Sequence, residues 1–210
     1  MAQFFSIHSN NPHLRLIRQA ANIVRAGGII VYPTDSCYAL GCQIGDKDAM
    51  TRIRNIRQVD DKHHFTLVCR DLAEISYYAK INNRQYRLLK ASTPGSYTFI
   101  LQASREVPRR LQHPKRNTIG LRIPEHPVVQ ALLEELDEPL LSSTLILPGD
   151  ELPLNDAEEI RQRLEHQVEL IMDAGSCGIE MTSVIDLTDD VPEIIREGKG
   201  SLAPFGMMNG

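Results

Sequence analysis

Apolar and polar residues along this chain keep two rhythms, and the switches between them mark its elements. Leu14, Ile17, Ala21 and Val24 recur at the spacing of one helical face. Asn10 or Asn11 is expected to cap that helix, Pro12 suits its first turn, and Gly27-Gly28 stops it. The β-branched and aromatic run 29–32 predicts a buried strand, which Pro33 ends because it has no N–H to give to a ladder. A helix follows over about 46–57, with Met50, Ile53 and Ile56 apolar. Residues 65–69 read as a strand, and Asp71 with Glu74 forms an acidic capping box for the next helix.

The same reading gives a helix at 84–91, a turn at Thr93-Pro94-Gly95 and a strand at 97–101. Further strands fall at 118–123, 140–147, 168–172, 183–187 and 193–196. A helix carrying Val128, Val129, Leu132, Leu133 and Leu136 follows Pro124, and Asn155 or Asp156 caps a charged helix. The tail 198–210 is expected to fray. Strands and helices interleave without a linker or composition break. That predicts one α/β domain over 1–210, a single three-layer unit with a twisted, mixed or largely parallel sheet flanked by helices.

Composition narrows the function classes. The chain has 210 residues, enough for a sizeable core, and a net charge of −4 that argues against overall polybasic character. No apolar stretch is long enough to span a bilayer, and the start lacks a basic n-region, so no membrane partner is expected and the default location is cytoplasmic. Cys37, Cys42, Cys69 and Cys177 show neither a C-x-x-C pair nor zinc spacing, which suits free thiols in a reducing compartment.

Familiar catalytic signatures are missing. There is no Walker A loop, no G-x-G-x-x-G and no G-x-S-x-G elbow. Asp60-Asp61-Lys62-His63-His64 carries ligand-type residues, but adjacent histidines on extended chain point apart, so a solvated loop is expected and no metal site. Polar groups remain at strand ends: Thr34 just past the first buried strand, Ser142, Ser143 and Thr144 on a later one, and Ser183 opening another. Arg57, Arg122 and Arg196 lie at similar boundaries. Hydroxyls and guanidinium groups converging at one sheet edge suit a carboxylate or phosphate ligand. Taken singly, each hydroxyl has a sufficient local role as a cap and each arginine as a surface pair. The segment 105–116 holds Arg105, Arg109, Arg110, Lys115 and Arg116 against one acid, Glu106. It is a candidate contact for RNA phosphates, with a solvated basic loop as the plain alternative.

Together these motifs resemble the YrdC-type family of threonylcarbamoyl-AMP synthases. The resemblance lies in Gly28, Tyr32-Pro33-Thr34-Asp35, Tyr38-x-Leu40-Gly41, Pro94-Gly95-x-x-Thr98-Phe99, Leu121-Arg122-Ile123-Pro124 and Thr182-Ser183-Val184-Ile185-Asp186. It covers about 20–198. Arg54-x-x-Arg57-x-x-Asp60 and Phe65-Thr66-Leu67 make the chain most similar to the YciO branch.

The resemblance implies a concave, positively lined cavity and the condensation of threonine, bicarbonate and ATP to threonylcarbamoyl-AMP, which feeds transfer RNA modification. Mg²⁺ would accompany ATP rather than be tightly bound. By position, Thr34 would hold the amino acid, Arg122 and Ser142 would line the cavity, and Ser183 and Arg196 would face the phosphates. Arg57 and Thr144 would take catalytic positions. Two departures stand out: Asn55 where the family's Lys-x-Arg has its lysine, and Ile146 where a Ser-Thr-Ser-Ala-Asn stretch ends in asparagine. Losing one preorganised donor at developing charge costs roughly 3–4 kcal/mol. The expectation is therefore a paralogue that binds a nucleotide or threonylcarbamoyl-AMP, synthesises it weakly, and favours hydrolysis or the reverse reaction. A non-catalytic binder of double-stranded RNA or tRNA is the alternative. An efficient synthase, with Lys62 or Arg54 replacing the lysine, is the third.

Overall fold

The computed structural model describes residues 1–60 and 63–206. In chain order the described residues form β1 (Gln3–Ser6), α1 (Leu14–Arg25), β2 (Ile30–Tyr32), β3 (Ala39–Gln43), α2 (Lys47–Arg57), β4 (Thr66–Val68), α3 (Leu72–Tyr78), β5 (Ala79–Lys80) and α4 (Asn83–Ser92). They continue with β6 (Tyr97–Ala103), β7 (Thr118–Arg122), α5 (Pro127–Leu136), β8 (Leu140–Thr144), α6 (Ala157–Leu164), β9 (Leu170–Asp173), β10 (Ser183–Asp186) and β11 (Glu193–Arg196). One sheet joins the strands in the order β1-β9-β2-β3-β8-β4-β7-β6-β10-β11, with β5 on β6. It is mixed: β1/β9, β2/β9, β4/β7 and β6/β10 are parallel, while β2/β3, β3/β8 and β4/β8 are among the antiparallel pairs.

Burial on both faces follows from the strand period of two. Val31, Leu40, Leu67, Leu141 and Ile171 point to a core shared with Met50 and Ile53 of α2 and Ile160 and Leu164 of α6. Ile30, Tyr32, Val68, Leu140, Leu170 and Met172 point to the other side, where Ile17, Ala21 and Val24 of α1 meet Val129, Leu132 and Leu133 of α5. The expected three layers result. Gly41 shows how tight the packing is. A Cβ there would lie 2.7 Å from the Leu140 side chain and 2.8 Å from the Tyr32 ring. Its bareness lets Tyr32 cross β3 and reach Ser142 Oγ at 2.5 Å.

Capping follows the sequence with two corrections. The first is at α3, where Glu74 accepts from Arg70 N at 2.6 Å and not from Asp71 N, so the expected acidic box is half-formed. Asp46, Asp71, Asn82 and Asp156 each accept from a backbone N–H in the first turn of the helix that follows. The first helix is capped by His13, whose Nδ1 accepts from Arg15 N at 3.3 Å, and not by Asn10 or Asn11. The backbone N–H groups of those two residues donate instead to His8 Nδ1, so they belong to a preceding turn. The tail also differs from expectation. Tyr97 Oη donates to Ser201 O at 2.8 Å, Leu202 is buried, and the Phe205 ring meets Tyr97 edge-on at 5.8 Å. Through residue 206 it is docked, because two apolar side chains outweigh the glycines and proline around them.

Candidate functional site

Helices α1 and α5 cover only part of their sheet face. Beyond them the same face carries short side chains in register. Ala39 lies beside Thr144, Ser142 beside Thr66, Thr66 beside Gly120, Gly120 beside Ile100, and Thr98 beside Val184. The space they leave is a cavity of about 460 Å³. Four arginines, Arg57, Arg116, Arg122 and Arg196, reach its wall together with His63, His64 and His113. No carboxylate lines it among the described residues.

Each cation is positioned differently. Arg122, at the end of β7, pairs with Asp35, with side chains 10% and 9% exposed. The second Asp35 oxygen accepts from Glu125 N at 2.9 Å. Arg116 Nη2 donates to Asp186 Oδ2 at 2.7 Å and to Thr188 Oγ1 at 3.0 Å. Arg57 and Arg196 direct their N–H groups at neutral acceptors instead. Arg57 Nη1 reaches Ser143 Oγ at 2.6 Å, and its Nε donates to Ile146 O at 3.3 Å. Arg196 donates from Nε to Thr182 O at 3.0 Å and from Nη2 to Thr182 Oγ1 at 3.2 Å. Burial lowers the pKa of both guanidinium groups. Among the described residues these two partly desolvated cations bond to neutral groups, an arrangement suited to an anion.

The nucleophile candidates are held quiet. Burial raises the Cys37 thiol despite a bond to Ser36 and the nearby Arg122 and Arg196. Burial also pushes Tyr32 up to about 12. The arrangement therefore supports anion binding and charge stabilisation rather than a covalent thiol intermediate.

Comparison with known proteins shows the family. A family model described as "Telomere recombination", for the Sua5, YciO and YrdC proteins, matches residues 22–198. The chain belongs to the Sua5/YciO/YrdC family. It is 59% identical to YciO of Escherichia coli (strain K12) over 205 residues, covering 98% of this chain and 100% of that protein. It is also 30% identical over 145 residues to a threonylcarbamoyl-AMP synthase of Hydrogenovibrio crunogenus, covering 67% of this chain and 77% of the synthase. Its fold superposes on the crystal structure of E. coli YciO with a TM-score of 0.94, covering 98% and 100% of the two chains. With P. abyssi Sua5 complexed with L-threonine the TM-score is 0.86 at 25% identity, covering 94% of this chain and 58% of that one.

Against this family frame, the expected site residues divide. Arg57, Arg122, Arg196, Ser142 and Thr144 all line the cavity. Thr34 and Ser183 do not. Thr34 is buried, its Oγ1 accepting from Ser36 N and Cys37 N and donating to Cys37 O at 2.7 Å. It shapes the loop that presents Asp35. Ser183 is fully buried and donates to Gly200 O at 2.6 Å while accepting from Gly198 N at 3.0 Å, which staples the tail to β10. Its neighbour Thr182 faces the cavity instead, as the strand alternation requires.

Of the two departures, only Ile146 lines the cavity. Asn55 is exposed on α2 and absent from the wall. Of the lysine's proposed substitutes, Lys62 lies outside the described residues. Arg54 stacks on the Phe65 ring at 5.1 Å, in a second groove.

That groove, about 600 Å³, collects Arg109, Arg110 and Lys115 with Arg54, His64 and His113. The segment 105–116 is thus split. Arg116 belongs to the cavity, and Arg105 lies outside both, beside Glu106 at 3.2 Å. His63 was missed. Where a solvated loop was expected, the His63 ring enters the wall, contacting Arg57, Ser143 and Phe65. No local pattern signals it, because its partners lie on another helix and strand.

The donor set of the cavity, arginines and hydroxyls without a carboxylate, suits phosphate oxygens rather than a resident divalent cation. No group of three His, Cys, Asp or Glu among the described residues could hold a metal ion. None of the described residues is assigned to Mg²⁺. No helix of the described residues is long and apolar enough to cross a membrane.

Proposed function

We propose that this chain binds a nucleotide or threonylcarbamoyl-AMP in its arginine-lined cavity, in a cytoplasmic reaction linked to tRNA threonylcarbamoyladenosine. Synthesis is weak, and threonylcarbamoyl-AMP is consumed by hydrolysis or by return to ATP with pyrophosphate. The observation that carries this reading is the cavity wall itself: four arginines, no carboxylate among the described residues, and Ile146 where a polar side chain would serve the forward reaction. Arg57 and Arg196 supply charge for phosphates. The hydroxyls of Ser142, Thr144 and Thr182 offer hydrogen bonds to the rest of the ligand. Four free cysteines suit a reducing compartment.

Turnover in both directions tests it. The pure chain receives ATP, threonine, bicarbonate and Mg²⁺ in one reaction, and threonylcarbamoyl-AMP in another. Consumption of threonylcarbamoyl-AMP with slow synthesis supports the reading; synthesis at the rate of an authentic synthase assayed alongside overturns it.

The groove holding Arg54, Arg109, Arg110 and Lys115 favours a second reading, a site for double-stranded RNA or tRNA. Backbone phosphates need cations in a row and no acid–base pair. Silence in both turnover reactions, with salt-sensitive RNA binding, would put this reading first.

A further inference from the structure

His63 makes a triangle with two polar groups of the cavity wall. Its Nε2 lies 3.0 Å from Arg57 Nη1 and 2.9 Å from Ser143 Oγ. Arg57 carries only donors, so Nε2 is an acceptor there and the ring is neutral. Its surroundings agree: burial, then Arg57, His64 and Arg54, bring its pKa down to about 4 against the opposing pull of Asp60. A guanidinium available to a phosphate thus rests on a neutral ring.

An anionic oxygen binds a guanidinium more strongly than a neutral nitrogen does. When phosphate takes Arg57, Nε2 loses its donor and faces a negative charge. Opposite charge at that distance favours the protonated ring.

We propose that His63 is a phosphate-binding residue of this cavity: it rests neutral on Arg57 and Ser143 in the free chain and binds the ligand as an imidazolium. The proton comes from solvent as the phosphate arrives, so binding and proton uptake are one event. The groups that oppose this are Arg57 and Arg54 on α2 and His64 beside it, whose ring stacks on His113. Asp60 assists. Arg116, Arg122 and Arg196 share the cavity. Against so many cations, a phosphate with at least two negative charges, such as pyrophosphate or the end of a triphosphate, is the class that can hold the extra proton. A phosphodiester carries only one.

This inference rests on the phosphate-binding reading above, and titration calorimetry with pyrophosphate separates the two. The full chain is titrated at pH 6, 7 and 8 in buffers of different ionisation enthalpy, beside His63→Gln, which keeps an acceptor but cannot take the proton. The native chain should take up more protons than the variant and bind more tightly as pH falls. At pH 6, His63→Gln should bind roughly tenfold more weakly, as for a lost charge-assisted hydrogen bond. Melting curves verify that both chains are folded. Equal uptake and affinity in the two chains overturns the role of His63 and leaves the cavity reading standing. Tighter binding by His63→Gln also overturns it, making the ring a plug. No pyrophosphate binding by the native chain removes both.

Discussion

The Arg122 guanidinium and the Asp35 carboxylate form an ion pair with about nine-tenths of each side chain out of solvent. The Pro33-Thr34-Asp35 turn and the end of β7 are joined through it, which fixes an arginine in the cavity wall. Removing one partner strands a buried charge. Asp35→Ala should cost about 3–5 kcal/mol in urea unfolding. Adding Arg122→Ala should restore part of that loss, since the stranded charge goes with it. A loss below about 1 kcal/mol, the range of an exposed pair, would show that water reaches this contact.

Arg57 should matter for ligand and little for fold. Among the described residues its acceptors are neutral, so truncation there removes bonds but no counter-ion. Arg57→Ala should weaken pyrophosphate or adenylate binding by about 1.5–3 kcal/mol, the range for a hydrogen bond to a charged group. Arg84, exposed on α4, is the control. Equal effects of Arg57→Ala and Arg84→Ala on the dissociation constant would remove Arg57 from the site.

The docked tail gives a stability test. Leu202 is 7% exposed, and Phe205 beside it packs on Tyr97 and Phe99. Leu202→Ala should cost about 2–5 kcal/mol if that burial persists in solution. A change within about 0.5 kcal/mol, as at an ordinary surface position, would mean that the tail frays after all.

What was legible in the sequence was what short-range physics controls. Periods of two and near four located most helices and strands, and Asp71 and Asp156 announced their helices. β3 was not, because Ala39-Leu40-Gly41-Cys42-Gln43 has weak strand character and owes its place to Tyr32 crossing over Gly41. Motif order brought Arg57, Arg122 and Arg196 together. It could not tell which of two adjacent hydroxyls, Thr182 or Ser183, faces inward, since that depends on strand register. His63 was illegible for a different reason: its environment is built by Ser143, eighty residues away.

The second groove makes a claim that salt can test. Arg110 already donates to Gly45 O, so Arg109 and Lys115 are its more available cations, beside Arg54 over Phe65. If RNA lies there, the logarithm of affinity should fall steeply with the logarithm of salt concentration. The double variant Arg109→Ala/Arg110→Ala should reduce that slope by roughly 0.7–0.9 for each phosphate it no longer neutralises. A flat salt response of the native chain would exclude backbone binding in the groove.

Ile146 is the departure that the cavity makes consequential. Its carbonyl accepts from Arg57 Nε at 3.3 Å while its side chain faces the space. Ile146→Asn should therefore leave the Arg57 bond in place and add an amide donor to the wall, which would aid synthesis if the proposed reaction runs in this cavity. A full oxyanion-type donor is worth about 10²–10³ in rate, so a rise of roughly tenfold in threonylcarbamoyl-AMP synthesis is a modest expectation. A catalyst cannot alter the equilibrium of one reversible step, so the return to ATP with pyrophosphate must speed up by the same factor. Hydrolysis is a separate reaction under no such constraint, and its rate relative to synthesis should fall. Measuring all three rates on one preparation separates the cases. If synthesis is unchanged in a folded Ile146→Asn chain, the missing amide is not what slows the forward reaction, and the limit lies in how Arg57 and Arg196 meet the phosphates.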